Sequence, residues 1–282
     1  MLLTLDVGNT NTVLGLYRPT SDELVTHWRI STVRAQTVDE YGVLLLNLFA
    51  MRKIEATEVS SVIIASVVPP LETTLRQVCE RYFNLKPMLV EPGIKTGMPI
   101  LVDNPAELGA DRLANGVAAF AKYGGPCIVV DFGTATTFDV ITAKGEYVGG
   151  VIAPGLAISA EALFARAAKL SRVDVKKPAK VVGTNTIAHM QSGLYYGYIG
   201  LVDGILERIL NETRVPDPAP GDASPLPKIV ATGGLARRII DDSKFIKTID
   251  DMLTLDGLRL IYERNRVAKV KHGHGEAAGK HA

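Results

Sequence analysis

Residues 2–17 read LLTLDVGNTNTVLGLY, and residues 127–141 read CIVVDFGTATTFDVI. Each opens on an apolar run of strand length, carries an aspartate at its far end and places a glycine two positions on. Each then turns through hydroxyl or amide residues into a returning strand. Asp6 and Gly8 in the first stretch thus answer to Asp131 and Gly133 in the second. A further strand follows in both cases, LVTHWRI at 24–30 and EYVGGVIAP at 146–154. Two segments alike in order and chemistry indicate an internal duplication, and 282 residues suit two domains at roughly 150 residues each. The expected division is 1–117 and 118–266, with 267–282 as a disordered tail lacking an apolar face.

Outward from these hairpins, the pattern predicts a helix at 38–51, the strand VIIAS at 62–66, a helix after Pro69-Pro70 and a short strand near KPMLV. From Pro105 a helical spacing runs through AELGADRLANGVAAFAKY and stops at Gly124-Gly125. The second half predicts helices at 155–168 and 185–211, a Pro-rich surface loop at 214–228, the strand KIVATGG and a last helix at 254–265. Within SGLYYGYIGLVDGILERIL, Gly193, Gly197, Gly200 and Gly204 fall on one helical face. Glycine costs about 1 kcal/mol against alanine inside a helix, so another backbone is expected to approach that face, from this chain or from a second copy.

Composition excludes several classes. Lys+Arg 31 against Asp+Glu 30 leaves a net charge of +1, too little to recruit nucleic acid or an anionic membrane. Hydrophobic residues at 47% and charged residues at 22% fit a globular protein and rule out disorder as the dominant state. No apolar run reaches the roughly 18 residues of a membrane span, and MLLTLDVGNT has no export-signal character. Cys79 and Cys127 lack metal or redox spacing; Cys127 opens an apolar run and is expected to be a buried thiol, and a cytoplasmic location is expected.

A carboxylate at a strand end followed by a glycine turn can meet a polyphosphate and its metal, because the turn lets backbone N–H groups approach closely. Either Asp6-Val7-Gly8-Asn9-Thr10-Asn11 or Asp131-Phe132-Gly133-Thr134 alone could be an ordinary hairpin. Two in equivalent positions of a duplicated unit point instead to a pair of phosphate loops gripping one ligand. No GxxxxGK[ST], HExxH or GxSxG occurs, and no HRD loop accompanies the Asp-Phe-Gly triplet. In Asn104-Pro105-Ala106-Glu107-Leu108-Gly109-Ala110-Asp111-Arg112, the last two residues could form a surface ion pair. They could equally serve as a base for an alcohol and an anchor for a substrate anion.

In this order, DVGNTNTVLGLY, NPAELGADRLANG, IVVDFGTATTFDVI, GGVIAPGL, KVVGTNTIAHMQSG and ATGGLA resemble the type III pantothenate kinase family over about residues 1–265. The resemblance implies an α/β fold of duplicated ribonuclease-H-like (actin-like) domains with mixed sheets flanked by helices. It implies ATP-dependent phosphorylation of pantothenate to 4'-phosphopantothenate in coenzyme A synthesis, a homodimer, Mg2+ with ATP, and activation by K+ or NH4+. Carried over by residue, Asp6, Val7, Gly8, Asn9, Thr10, Asn11, Thr12 and Val13 form the ATP phosphate loop, and Thr134 is a further ATP contact. Gly109, Ala110, Asp111, Arg112 and Thr186 line the pantothenate site, with Asp111 the proton acceptor. Asp131 would hold the monovalent cation and Asp6 would hold Mg2+ through water. Val102 stands where many relatives carry an aromatic substrate contact. Another small-molecule kinase of the same superfamily, or a regulator without activity, are the alternatives.

Overall fold

The computed structural model describes residues 1–19, 21–166, 170, 172–213 and 226–273, with only the backbone of 267–273. Most of the Pro-rich loop expected at 214–228 lies outside these residues, as does the tail from 274. The chain divides into two units: Met1–Ala121 with the segment from Met252 onward, and Lys122–Asp251.

The first unit is built on β1 (Leu2–Val7), β2 (Asn11–Tyr17), β3 (Leu24–Ser31), β4 (Ser61–Ser66) and β5 (Met88–Leu89), in the order β3-β2-β1-β4-β5. β1 pairs antiparallel with β2 and parallel with β4. As the central strand it is covered on both faces, which is why it reads as a continuous apolar run rather than an alternation. α1 (Val38–Ala50) starts on a reciprocal cap, in which Thr37 Oγ1 accepts from Glu40 N and Glu40 Oε2 accepts from Thr37 N. α2 (Pro69–Phe83) begins with two prolines, where a helix needs no amide hydrogen, and ends at Asn84 in the left-handed conformation. Tyr41, Leu45 and Phe49 of α1 and Leu71, Leu75 and Val78 of α2 close the core over Leu3, Leu5, Leu14 and Ile64.

The second unit repeats the plan with β6 (Cys127–Phe132), β7 (Ala135–Ile141), β8 (Tyr147–Pro154), β9 (Lys228–Thr232) and β10 (Thr248–Ile249). Its order, β8-β7-β6-β9-β10, again has a central strand antiparallel to its hairpin partner and parallel to the strand that follows the three-strand meander, β9. The duplication read from two hairpins therefore extends to whole-sheet topology. α4 (Leu156–Arg166), α5 (Thr186–Thr213) and the single turn α6 (Ala236–Ile239) complete this unit. Tyr195, Tyr198, Ile199, Val202 and Leu206 of α5 pack on Ile128, Val130, Phe132 and Phe138.

Three expectations change. The helix predicted from Pro105 is broken: Pro105–Glu107 forms a 3-10 turn capped by Asn104 Oδ1, Leu108 is extended, and α3 runs over Ala110–Tyr123. Helical spacing cannot register such a break, because Leu108 and Gly109 keep the apolar period while the backbone resets. The last helix, α7 (Leu253–Gly273), extends well beyond 265 and takes in residues expected to be tail. It also returns to the first unit, packing on β1, β2 and β4, so 118–266 is not one continuous domain. Gly257 allows this, since a Cβ there would lie 2.0 Å from the Ala114 carbonyl oxygen. Thr254 Oγ1 donates to Asn115 Oδ1 at 2.7 Å, and Tyr17 donates its hydroxyl to Asp256 at 2.8 Å.

The glycine face of α5 meets no other backbone among the described residues. Among the described residues nothing lies within 4 Å of a Cβ built on Gly193, Gly197 or Gly200, and Gly204 meets only the Arg208 guanidinium. No described part of this chain accounts for the glycines at 193, 197 and 200.

Candidate active site

In the first unit, Asp6 is the last residue but one of β1, paired with Val13 on one side and Ala65 on the other. The turn beyond it is closed by Gly8 N donating to Asn11 O at 3.0 Å. A Cβ on Gly8 would sit 3.0 Å from that same oxygen, tighter than an ordinary contact. The chain leaving β3 buttresses the turn. Thr32 N donates to Thr10 O at 3.0 Å, Thr32 Oγ1 donates to Gly8 O at 2.7 Å, and the Thr12 and Thr32 hydroxyls meet at 2.9 Å. Arg34 Nη2 donates to Asn9 Oδ1 at 2.9 Å. Asn9 and Thr10 are exposed, whereas the Val7 and Thr12 side chains are buried. The residues predicted as one loop therefore divide into an exposed tip and a buried frame.

The second unit presents the equivalent turn. Asp131 is again the last residue but one of its strand, paired with Thr137 and Thr232. Gly133 N donates to Ala135 O at 3.1 Å, leaving Gly133 and Thr134 exposed. Two further glycines press on this turn. Gly155 N donates to Thr134 O at 3.1 Å, and a Cβ on Gly155 would fall 2.2 Å from that oxygen. Gly233, at φ +91°, would carry a Cβ 2.5 Å from Asp131 Oδ1. Below the turn the hydroxyls of Thr136 and Tyr198 are in contact. Burial, aided by the Asp131 charge, raises the Tyr198 phenol above its ordinary range against the opposing effect of its hydrogen bonds to Thr136 and Leu156. The phenol stays protonated at neutral pH.

Gly109, Ala110, Asp111 and Arg112 form the half-buried start of α3. Gly109 O accepts from Leu113 N at 3.0 Å, and Asp111 Oδ1 accepts from Arg112 N at 2.8 Å, occupying one of the amides that a helix start leaves unbonded. Thr186 opens α5 and is exposed; Asn185 caps it by accepting from Ala188 N at 2.9 Å. Val102 is half-buried in the segment before the 3-10 turn.

Asp6 with its turn and Asp111 belong to the first unit, while Asp131, Thr134 and Thr186 belong to the second. Sequence reading did not single out Thr32 and Arg34, which follow a strand without a motif. It read the glycine pair that closes KIVATGG without giving Gly233 a role, and it did not single out Gly155 after VGGVIAP, although a glycine following each strand was the available signal.

Two mixed five-stranded sheets of the same plan, each ending its central strand in an aspartate and a glycine turn, define a duplicated actin-like ATPase fold. Solved structures agree. The activator of the 2-hydroxyisocaproyl-CoA dehydratase from Clostridium difficile, with bound ADPNP, superposes with a TM-score of 0.54 at 12% identity, covering 100% of this chain and 99% of that one. The ethanolamine utilization protein EutJ from Carboxydothermus hydrogenoformans does so at 0.52 and 17% identity, over 92% and 89%. The sequence profile of type III pantothenate kinase matches residues 2–208. Type III pantothenate kinases of Koribacter versatilis and Acidobacterium capsulatum are 62% and 55% identical to this chain, covering 98% and 99% of it and all of each relative. The chain belongs to the type III pantothenate kinase family, enzymes that phosphorylate pantothenate in coenzyme A biosynthesis.

Proposed function

We propose that this chain transfers the γ-phosphoryl group of ATP to the primary hydroxyl of pantothenate, using Asp111 as the base. The observation that carries this reading is the equivalence of the Asp6 and Asp131 turns, each closed by its glycine amide. Phosphoryl transfer asks for alignment and charge neutralisation more than covalent chemistry. The turn at Gly8 with its exposed tip at Asn9 and Thr10 holds the β- and γ-phosphates, and Thr134 is a further nucleotide contact. Gly109 to Arg112 receive pantothenate, with Arg112 on its carboxylate. Asp111 accepts the hydroxyl proton as the alcohol attacks in line.

The donor set fits hard cations that share their ligands with phosphate and water. Among the described residues no group of three His, Cys, Asp or Glu could hold a metal by itself. Asp6 suits Mg2+ held through water, and Asp131, a second carboxylate at a strand end, suits K+ or NH4+. Such cations offset phosphate charge when bound.

A homodimer is supported by the glycine face of α5, which nothing among the described residues covers at Gly193, Gly197 or Gly200. Val181, Val182 and Ile187, at 62%, 81% and 55% exposed, extend an uncovered apolar surface beside the start of that helix. In this arrangement Thr186 completes the pantothenate pocket of the other subunit. No described helix is long and apolar enough to cross a membrane.

ADP release measured with pantothenate, with sugars and with simple carboxylates tests the acceptor. Turnover only with pantothenate is expected, and preference for another acceptor would overturn the assignment. Mixing Asp111→Asn with Thr186→Ala chains tests the shared pocket. Activity should return in heterodimers, half of whose sites carry neither defect, and inactive heterodimers verified by mass would exclude sharing.

A further inference from the structure

We propose that Arg34 is a positioning residue for ATP, acting by holding the amide of Asn9 so that Nδ2 is presented to the phosphates. The inference rests on the reading of the Asp6 turn as the phosphate site. Arg34 Nη2 donates to Asn9 Oδ1 at 2.9 Å. A guanidinium offers donors only, so it selects the acceptor end of the amide and fixes which way that amide faces. The other end, Nδ2, is a pure donor, the polarity a phosphate oxygen requires. An amide without this partner can rotate by half a turn and present its carbonyl oxygen, which repels a phosphate.

The backbone of the turn does not depend on Arg34. Thr32 holds it through the Thr10 and Gly8 carbonyls, and the Gly8 amide closes it on Asn11. Arg34 and Asn9 are both exposed, where a single polar contact contributes little to folding. The contact therefore orders one side-chain amide within a turn whose shape is already set. Arg34 is not a catalytic residue in this account, because it reaches ATP through Asn9.

The test is a double-mutant cycle on the full chain, reading KM for ATP and kcat at saturating pantothenate, with thermal stability as a control. Asn9→Ala and Arg34→Ala should each raise KM for ATP about tenfold, the order expected for one hydrogen bond to a charged group. kcat should stay within about twofold, since the contact exists before the transition state. The double variant should be no worse than Asn9→Ala alone, because the second change removes nothing further. Arg34→Lys, also a donor-only side chain, should recover most of the loss. Effects that multiply in the double variant would mean that Arg34 meets phosphate independently, overturning the proposal while leaving the phosphate turn intact. An unchanged KM in Arg34→Ala would also overturn it. If Asn9→Ala left KM unchanged, the phosphate reading of the turn would itself fall.

Discussion

A Cβ built on Gly109 would lie 2.6 Å from Oδ1 of Asp111. The residue before α3 lacks a side chain because the carboxylate two positions on occupies that space. Oδ1 is at the same time held by the Arg112 amide. The base proposed for the reaction is thus set in place by a glycine and a helix start.

Gly109→Ala should separate folding from catalysis. The displaced atom is the end of a side chain, so stability should stay within about 1 kcal/mol of wild type. Asp111 must nevertheless leave the Arg112 amide, and a shift of this size at a reacting group can cost about 10²-fold. Urea titration beside kcat measures both, and a wild-type kcat would show that this orientation of Asp111 is not used.

At the Asp131 turn the obstacle is backbone, so substitution should cost both stability and nucleotide binding. Gly155→Ala would drive a Cβ to 2.2 Å from Thr134 O, and Gly233→Ala would add a left-handed φ to a Cβ 2.7 Å from the Phe132 backbone. Overpacking of this kind costs about 1–3 kcal/mol. Lower denaturation midpoints with a raised KM for ATP are expected. Gly155→Ala with an unchanged KM would separate Thr134 from the nucleotide.

Monovalent ions probe Asp131 separately from Asp6. K+ or NH4+ should activate and Na+ should not, at matched ionic strength and fixed Mg2+. Equal rates in Na+ alone would remove the cation role from Asp131.

Burial pushes the Cys79 and Cys127 thiols up to about 12, with Glu80 adding to the rise at Cys79 and Lys228 opposing it at Cys127. Only thiolate reacts readily, so a disulfide reagent at pH 8 should modify neither until the chain is denatured. A folded-state pKa above the unfolded one favours folding below about pH 9, and that contribution is lost as pH rises toward 12. Rapid labelling of either thiol in the native protein would contradict their burial.

Much of the fold was legible because the two hairpins announce themselves locally: a buried central strand cannot alternate, and Asp-x-Gly marks where it ends. The strands at 62–66 and 228–232 were readable as apolar runs but their parallel pairing with β1 and β6 was not, and β10, Thr248-Ile249, was not read at all. The path of α7 was illegible for another reason. Its return to the first unit depends on Gly257 against Ala114 and Thr254 on Asn115, pairs far apart in sequence that no local pattern joins. The aspartates of the site were visible as residue types at strand and helix ends. Their supports, Thr32, Arg34, Gly155 and Gly233, became visible only through distances.

The central claim is that Asp111 takes the hydroxyl proton of pantothenate, and kcat of Asp111→Asn at saturating ATP and pantothenate tests it most directly. The amide keeps the shape of the carboxylate and cannot accept that proton, so both substrates should still bind while turnover falls by about 10² or more. A variant that retained more than about a tenth of wild-type kcat, against that lower bound for a general base, would contradict the account.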